Sequence, residues 1–271
     1  MYLCIDIGGT KTAIAKTDSS GQITYQTKIK TDHNYDAFIG NLVNLVKRDI
    51  KNNISLSCTA IPGLIDRKKG VVFSLGNLPW KNKPLKNDLE KKLGIKVIIE
   101  NDAKLGGLSE ARAVSDKYSR VLYLTIGTGI GGALIIDGNV PKDMQDMEIG
   151  KMPLSYEGSE IKPWENIISG RTIFEQYSKK ASEITEEAIW REVGRKIAYG
   201  LGPACSALQV DAIIFGGGVG QYSDKFAAVV AKYLSENLHS NIKNPSAYLP
   251  PTYGENSVLM GCWEYIKDYV K

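Results

Sequence analysis

Residues 125–134 read Thr125-Ile126-Gly127-Thr128-Gly129-Ile130-Gly131-Gly132-Ala133-Leu134, and whether this stretch opens a helix or a second strand decides the fold. Gly127, Gly129 and Gly132 have the G-x-G-x-x-G spacing of a dinucleotide-binding turn, which must follow a strand and begin a helix. The preceding segment 120–126 is rich in β-branched and aromatic residues, as a strand requires. The segment after the glycines, Ala133 to Ile136, is apolar and ends at Asp137-Gly138, so it reads as another strand closed by a turn. With 27 glycines in 271 residues the bare spacing also arises by chance. Strand, glycine turn, strand argues against the nicotinamide or flavin reading.

The same pattern opens the chain. Tyr2 to Ile7 reads as a strand, Gly8-Gly9-Thr10-Lys11 as a glycine turn, Thr12 to Lys16 as a strand and Asp18 to Gly21 as the next turn. Ile7 and Ile126 are 119 residues apart, and Gly21 and Gly138 are 117 apart, which favours duplication. Glycines in such turns expose backbone N–H groups and admit an anion closely, and Thr10 and Thr128 add hydroxyl donors. Two turns of this kind, one per half, could hold the phosphates of one nucleotide in the cleft between them; two plain hairpins are the other reading. No Walker A sequence is present, since Gly150-Lys151 is followed by Met152 and lacks the upstream glycine.

The remainder alternates in the same style. Tyr35 to Asn52 places Phe38, Leu42, Val46 and Ile50 on one helical face. Segments 57–61, 96–100 and 211–215 read as buried strands, 103–114, 222–238 and 256–270 as helices, and 185–208 as a long helix interrupted by Gly194, Gly200 and Gly202. The expected fold class is α/β, two domains comprising 1–117 with 256–271, and 118–255, hinged near Ser115–Tyr118. At 43% apolar and 24% charged the composition is ordinary for a soluble chain. The net charge of +4 is scattered and interleaved with acids, which argues against a nucleic-acid partner. No apolar run approaches membrane-spanning length, the start meets Asp6 too early for a signal peptide, and Cys4, Cys58, Cys205 and Cys262 are widely spaced, as free thiols in a reducing cytoplasm are.

Over nearly its whole length the chain resembles the ROK family of sugar kinases, within the actin/hexokinase (ribonuclease H-like) fold. Asp6-Ile-Gly-Gly-Thr-Lys11 resembles the first phosphate motif, Thr125 to Gly132 the second, and Phe215-Gly216-Gly217-Gly218 the adenosine motif. Ile61-Pro-Gly63-Leu-Ile-Asp66, Gly76-Asn77-Leu-Pro-Trp80, Glu100-Asn101-Asp102 and Glu148-Ile-Gly150 resemble the sugar-side loops. The resemblance implies an ATP-dependent kinase of glucokinase or N-acetylhexosamine kinase type, using Mg²⁺, acting on a sugar 6-hydroxyl. It implies phosphate contacts at Asp6, Gly8, Gly9, Thr10, Lys11, Gly127, Thr128, Gly129 and Gly216 to Gly218. It implies sugar contacts at Gly63, Asn77, Asn101, Glu148, Lys151 and Glu165, with Asp6 in the metal's water shell. Members are commonly homodimers.

Phosphoryl transfer to an alcohol needs a carboxylate that positions the hydroxyl and takes its proton. Asp102, at the end of a strand and the start of a helix, suits that role; locally it equally suits a helix cap. The chain departs from the family at its zinc motif. Lys151 stands at the histidine position and Tyr156, Gly158 and Pro163 at the cysteine positions, while Glu165 keeps the final acid. Zinc needs closely spaced thiolate and imidazole ligands, so no structural zinc is expected, and Pro163 and Trp164 are expected to stiffen the loop by packing. Lys151 either pairs with Glu148 or faces solvent. The rival function is a sugar-sensing protein without turnover.

Overall fold

A computed structural model of the protein describes residues 1–50, 53–75 and 78–271. The chain divides into two units, Met1–Ser109 with Val258–Lys271, and Glu110–Ser257.

The first unit is built on a five-stranded sheet. β1 (Tyr2–Ile7) pairs antiparallel with β2 (Lys11–Thr17), and β2 with β3 (Ile23–Lys30). After helix α1 (Tyr35–Leu45), β4 (Leu56–Ile61) lies parallel to β1. A small antiparallel sheet follows, made of β5 (Leu64–Asp66), β6 (Val71–Leu75) and β7 (Leu78–Lys83). Helix α2 (Leu85–Leu93) then leads to β8 (Lys96–Asn101), parallel to β4, and β8 runs directly into α3 (Asp102–Arg112). The sheet order is β3-β2-β1-β4-β8.

The faces of this sheet differ because side chains alternate along each strand. Leu3, Ile5, Ile7, Ile14, Ile61, Val97 and Ile99 fill one face, packed on Phe38, Leu42 and Leu89. The other face is small: Cys4, Ala13, Ala15, Cys58 and Ala60, covered by Leu105 and by Leu259, Cys262 and Ile266. Small residues permit close helix approach. Gly261 is so near the Leu105 backbone that no side chain fits there. All four cysteines are buried and free.

The second unit repeats the plan. β9 (Arg120–Ile126) pairs antiparallel with β10 (Ile130–Ile136). Two short strands, β11 (Pro153–Leu154) and β12 (Lys162–Pro163), form a hairpin. Helices α4 (Gly170–Tyr177) and α5 (Glu187–Leu208) precede β13 (Ala212–Gly216), which is parallel to β9. Then come α6 (Gly217–Gly220), α7 (Ser223–Asn237), β14 (Ala247–Leu249) parallel to β13, and α8 (Ser257–Tyr269), which returns the chain to the first unit. The order β10-β9-β13-β14 matches β2-β1-β4-β8, one antiparallel pair followed by two parallel ones. The opening glycine stretch is therefore a hairpin, the second copy of the first.

Two sequence expectations need correction. The helix from Tyr35 turns into a wider π turn at Val46–Ile50, although Phe38, Leu42, Val46 and Ile50 all stay buried; Asn52 lies outside the described residues. Helix α5 is continuous through its glycines and Pro203. Its glycines serve close approach instead: a Cβ on Gly194 would come within 2.9 Å of Val229 on α7, and one on Gly200 would overlap the Trp164 ring. Among the described residues no helix is long and apolar enough to cross a membrane.

Candidate active site

In the first unit the turn between β1 and β2 is clamped from one side. Gly8 N–H donates to the Lys11 carbonyl at 3.0 Å, and a Cβ on Gly8 would come within 2.8 Å of that oxygen, so a side chain is excluded. Thr31, just past β3, donates its hydroxyl to the Gly8 carbonyl at 2.8 Å and its N–H to the Thr10 carbonyl at 3.0 Å. Thr12 supports it, hydroxyl to hydroxyl at 2.9 Å. In a planar trans peptide the C=O and the next N–H point in opposite directions. Holding the Gly8 carbonyl on Thr31 therefore aims the Gly9 N–H away from Thr31. Thr10 and Lys11 are exposed beside it. Thr31 was invisible in the sequence, because its partner lies 23 residues away across a sheet edge.

Asp6 and Asp102 share this end of the unit. Burial, then the charge of Asp102, pushes the Asp6 carboxyl up to about 7, with Lys28 opposing. The register explains Lys28: Asp6 pairs with Ala13, and Ala13 with Lys28, so acid and base stand on one face with only a methyl between. Two mutually repelling carboxylates suit a divalent cation, which would remove that repulsion.

Asp102 is the first residue of α3 and does not cap it. The cap is Asn101, whose Oδ1 accepts from Lys104 N–H at 3.2 Å, while its Nδ2 donates to the Gly63 carbonyl at 3.3 Å. Asp102 sits instead in the first helical turn, where the macrodipole favours its charge, with Oδ1 accepting from Ala103 N–H at 2.8 Å.

Immediately before this pair, Glu100 is clasped by Arg67. The guanidinium Nε donates at 3.0 and 2.8 Å and its terminal nitrogen at 2.8 Å, with the side chains 5% and 19% exposed. Glu100 also accepts from Asn101 N–H at 2.7 Å, which ties the ion pair to the backbone that carries Asp102. Removing one member of a buried pair strands the other's charge, at a cost of about 3 kcal/mol. Arg67→Ala is accordingly expected to lower unfolding free energy by about that amount in urea titration, and Arg67→Lys by less. Asn77 lies outside the described residues.

In the second unit, Gly127 N–H donates to the Gly129 carbonyl at 2.9 Å, and Gly170 N–H donates to the Gly127 carbonyl at 2.7 Å. Gly170 opens α4, which is capped by Ser169. The same peptide geometry aims the N–H of exposed Thr128 away from Gly170. Gly217, at φ +75°, is packed 2.6 Å (measured from an added Cβ) from the Ile126 carbonyl, and Gly216 lies against the Tyr123 ring. The Gly216-Gly217-Gly218 segment is thereby fitted to the end of β9.

Glu148 is exposed. Lys151 pairs with Glu165 rather than with Glu148, which corrects one sequence expectation and excludes the solitary solvent-facing lysine. Glu165 also accepts from Ile130 N–H at 3.3 Å. Where the zinc motif falls, packing holds the loop. Trp164 is fully buried, its N–H donates to the Met152 carbonyl at 2.9 Å and its indole to the Lys196 carbonyl at 3.2 Å, while Tyr156 meets Tyr199 edge-on at 5.1 Å. Among the described residues no group of three or more His, Cys, Asp or Glu is gathered to hold a metal. Emptying the Trp164 site by Trp164→Ala is expected to cost about 4 kcal/mol, with zinc giving no rescue in thermal melts.

Two units, each opened by a strand, glycine turn and strand and each continued by parallel strands, define the actin/hexokinase-like class of duplicated α/β folds. The ROK family model matches residues 2–268, and the chain belongs to that family. It is 32% identical over 172 residues to an N-acetyl-D-glucosamine kinase of Haemophilus influenzae, an alignment covering 61% of this chain and 57% of that protein. The chain thus spans little more than half the length of that relative. A second N-acetyl-D-glucosamine kinase, from Mannheimia succiniciproducens, is 28% identical with 96% and 97% coverage. The solved structure of a ROK family glucokinase from Streptomyces griseus, in complex with glucose and AMPPNP, superposes with TM-score 0.81 at 21% identity, covering 97% of this chain and 98% of that one.

Proposed function

We propose that the protein is an ATP-dependent sugar kinase that transfers the γ-phosphoryl group to the 6-hydroxyl of a hexose or N-acetylhexosamine. The observation that carries this reading is the pair Asp6 and Asp102 beside a glycine turn whose carbonyls are tied inward. Membership of the family and its kinase relatives support it.

In this reading Asp102 accepts the proton of the sugar hydroxyl as its oxygen bonds to the γ-phosphorus, and the bond from that phosphorus to the bridging oxygen of ADP breaks. Asp6 would hold the water shell of a Mg²⁺ ion bound with the nucleotide, and that ion would supply charge neutralisation at the phosphates. The N–H groups of Gly9 and Thr128 and the Lys11 ammonium bind phosphate oxygens, and Gly216 to Gly218 receive the adenosine. Asn101 keeps one amide hydrogen for a sugar hydroxyl. Gly63, Asn77, Glu148 and Glu165 complete the sugar contacts, with Lys151 paired to Glu165.

The test is ADP release with Mg-ATP against glucose, mannose, fructose, allose, N-acetylglucosamine and N-acetylmannosamine. Turnover with at least one is expected. No turnover, together with stabilisation of the fold by one of these sugars, would replace the kinase by a sugar sensor.

A further inference from the structure

The pairing of Lys151 with Glu165 follows from the backbone. In the β11–β12 hairpin, Leu154 lies opposite Lys162 and Pro153 opposite Pro163. The Trp164 N–H to Met152 carbonyl bond extends that pairing by one residue, and beyond it each arm is a short 3₁₀ turn, Ile149–Lys151 on one side and Trp164–Asn166 on the other. The ion pair joins these two segments at the base of the hairpin, in the loop that carries the predicted sugar contacts.

Glu165 also reaches out of that loop. Its Oε2 accepts the N–H of Ile130, the residue after the glycine turn 127–129. Gly129 has no side chain where the carboxylate lies; a Cβ there would come within 2.5 Å of Oε2. On the other side, Gly150 is pressed against the Ile130 carbonyl. Ile130, the residue that leaves the glycine turn, is therefore held at its N–H by Glu165 and packed at its carbonyl by Gly150, both from the sugar-side loops.

An ionised carboxylate offers about four acceptor positions. Lys151 takes one on Oε1 and Ile130 takes one on Oε2, which leaves acceptor capacity on each oxygen for hydroxyl donors. Lys151 is 57% exposed and Glu165 16%. An ion pair so open contributes little to stability, so its effect lies in where it holds the carboxylate.

We propose that Lys151 is a positioning residue that holds Glu165 against the Ile130 amide, so that sugar binding at Glu165 is communicated to the phosphate turn 127–129. The proposal rests on the reading of Glu165 as a sugar contact and of 127–129 as a phosphate turn. It has one thermodynamic consequence. Sugar and nucleotide each raise the other's affinity, reciprocally, and part of that coupling runs through the Lys151 ammonium.

The experiment is calorimetric titration of AMPPNP with and without saturating sugar, for wild type, Lys151→Met, Lys151→Arg and Lys179→Met. Lys179 is the control, since it forms a comparably open pair with Glu186 in the same unit. In wild type, sugar is expected to tighten AMPPNP several-fold. In Lys151→Met that gain should fall below twofold and the sugar KM should rise roughly tenfold, with kcat reduced less. Lys151→Arg should recover most of the coupling, and Lys179→Met should match wild type. Folding of each variant is checked by circular dichroism; if Lys151→Met fails to fold, Glu165→Gln, which weakens the lysine's hold, must lose the coupling in its place. Undiminished coupling in a folded variant would overturn the proposal and leave the kinase reading intact. Absence of both sugar and nucleotide binding in wild type would overturn the kinase reading and this assignment with it.

Discussion

Asp102→Asn is expected to lower kcat by about three orders of magnitude, within the range that a positioned general base contributes, while sugar affinity stays within a few-fold of wild type. The substitution is nearly isosteric, and its amide still accepts a hydrogen bond from Ala103, as the carboxylate oxygen does at 2.8 Å. The helix cap is untouched because it belongs to Asn101. What disappears is the proton acceptor and one negative charge. That charge is the second cause of the raised Asp6 carboxyl, so its loss relaxes Asp6 towards its ordinary range. A catalytically crippled variant should therefore melt no lower than wild type, and slightly higher above neutral pH. Steady-state kinetics, sugar titration and melts at pH 6 and 8 separate these effects. A fall in kcat below tenfold would remove Asp102 from the role of base.

Asp6→Asn should show the same opposition more strongly. The folded carboxyl titrates at about 7, against about 4 in the unfolded chain. The folded state thus binds this proton more tightly, and unfolding between those values releases it. The stability associated with the protonated group is fully present below about pH 4 and is lost as pH rises through about 7. An asparagine has no such dependence. Wild type and variant should diverge across this interval, with the variant higher by several degrees at pH 8, since a 1 kcal/mol change moves Tm by about 2–4 °C in chains of this size. Activity should move the other way, falling about a hundredfold or more, since the substitution removes the anchor proposed for the metal's water shell. Mg-ATP should then stabilise wild type more than the variant, because wild type holds two carboxylate charges for the cation to neutralise and the variant keeps only that of Asp102. Equal Tm values at pH 8 would show that the acid is not held against its own charge.

The reading of the glycine stretch as a turn between strands came from local chemistry: an Asp-Gly pair after four apolar residues ends a strand, and no helix begins there. The duplicated hairpin and the strands 57–61 and 96–100 were legible for the same reason, since burial on both faces leaves continuous apolar runs. The glycines of α5 misled for a reason that is also physical. A glycine lowers helix propensity wherever it stands, and only the neighbour reveals whether it breaks a helix or admits another one. At Gly194 the neighbour is α7, and at Gly200 it is the Trp164 ring. Asp102 as cap or base was open for a like reason, because two adjacent side chains can each cap a helix and only the backbone geometry selects Asn101.

By itself the sequence determined the class of fold, the two glycine turns between paired strands, and the replacement of thiol and imidazole residues by Lys151, Tyr156, Gly158 and Pro163. These are properties of residue type and short spacing. Tertiary structure alone decided which groups hold those residues: Thr31 on the carbonyls of Gly8 and Thr10, Arg67 on Glu100, Lys151 and Ile130 on Glu165. Each joins positions 14 to 35 residues apart. Sequence spacing sets no distance over such separations, and the register of strands and hairpins does.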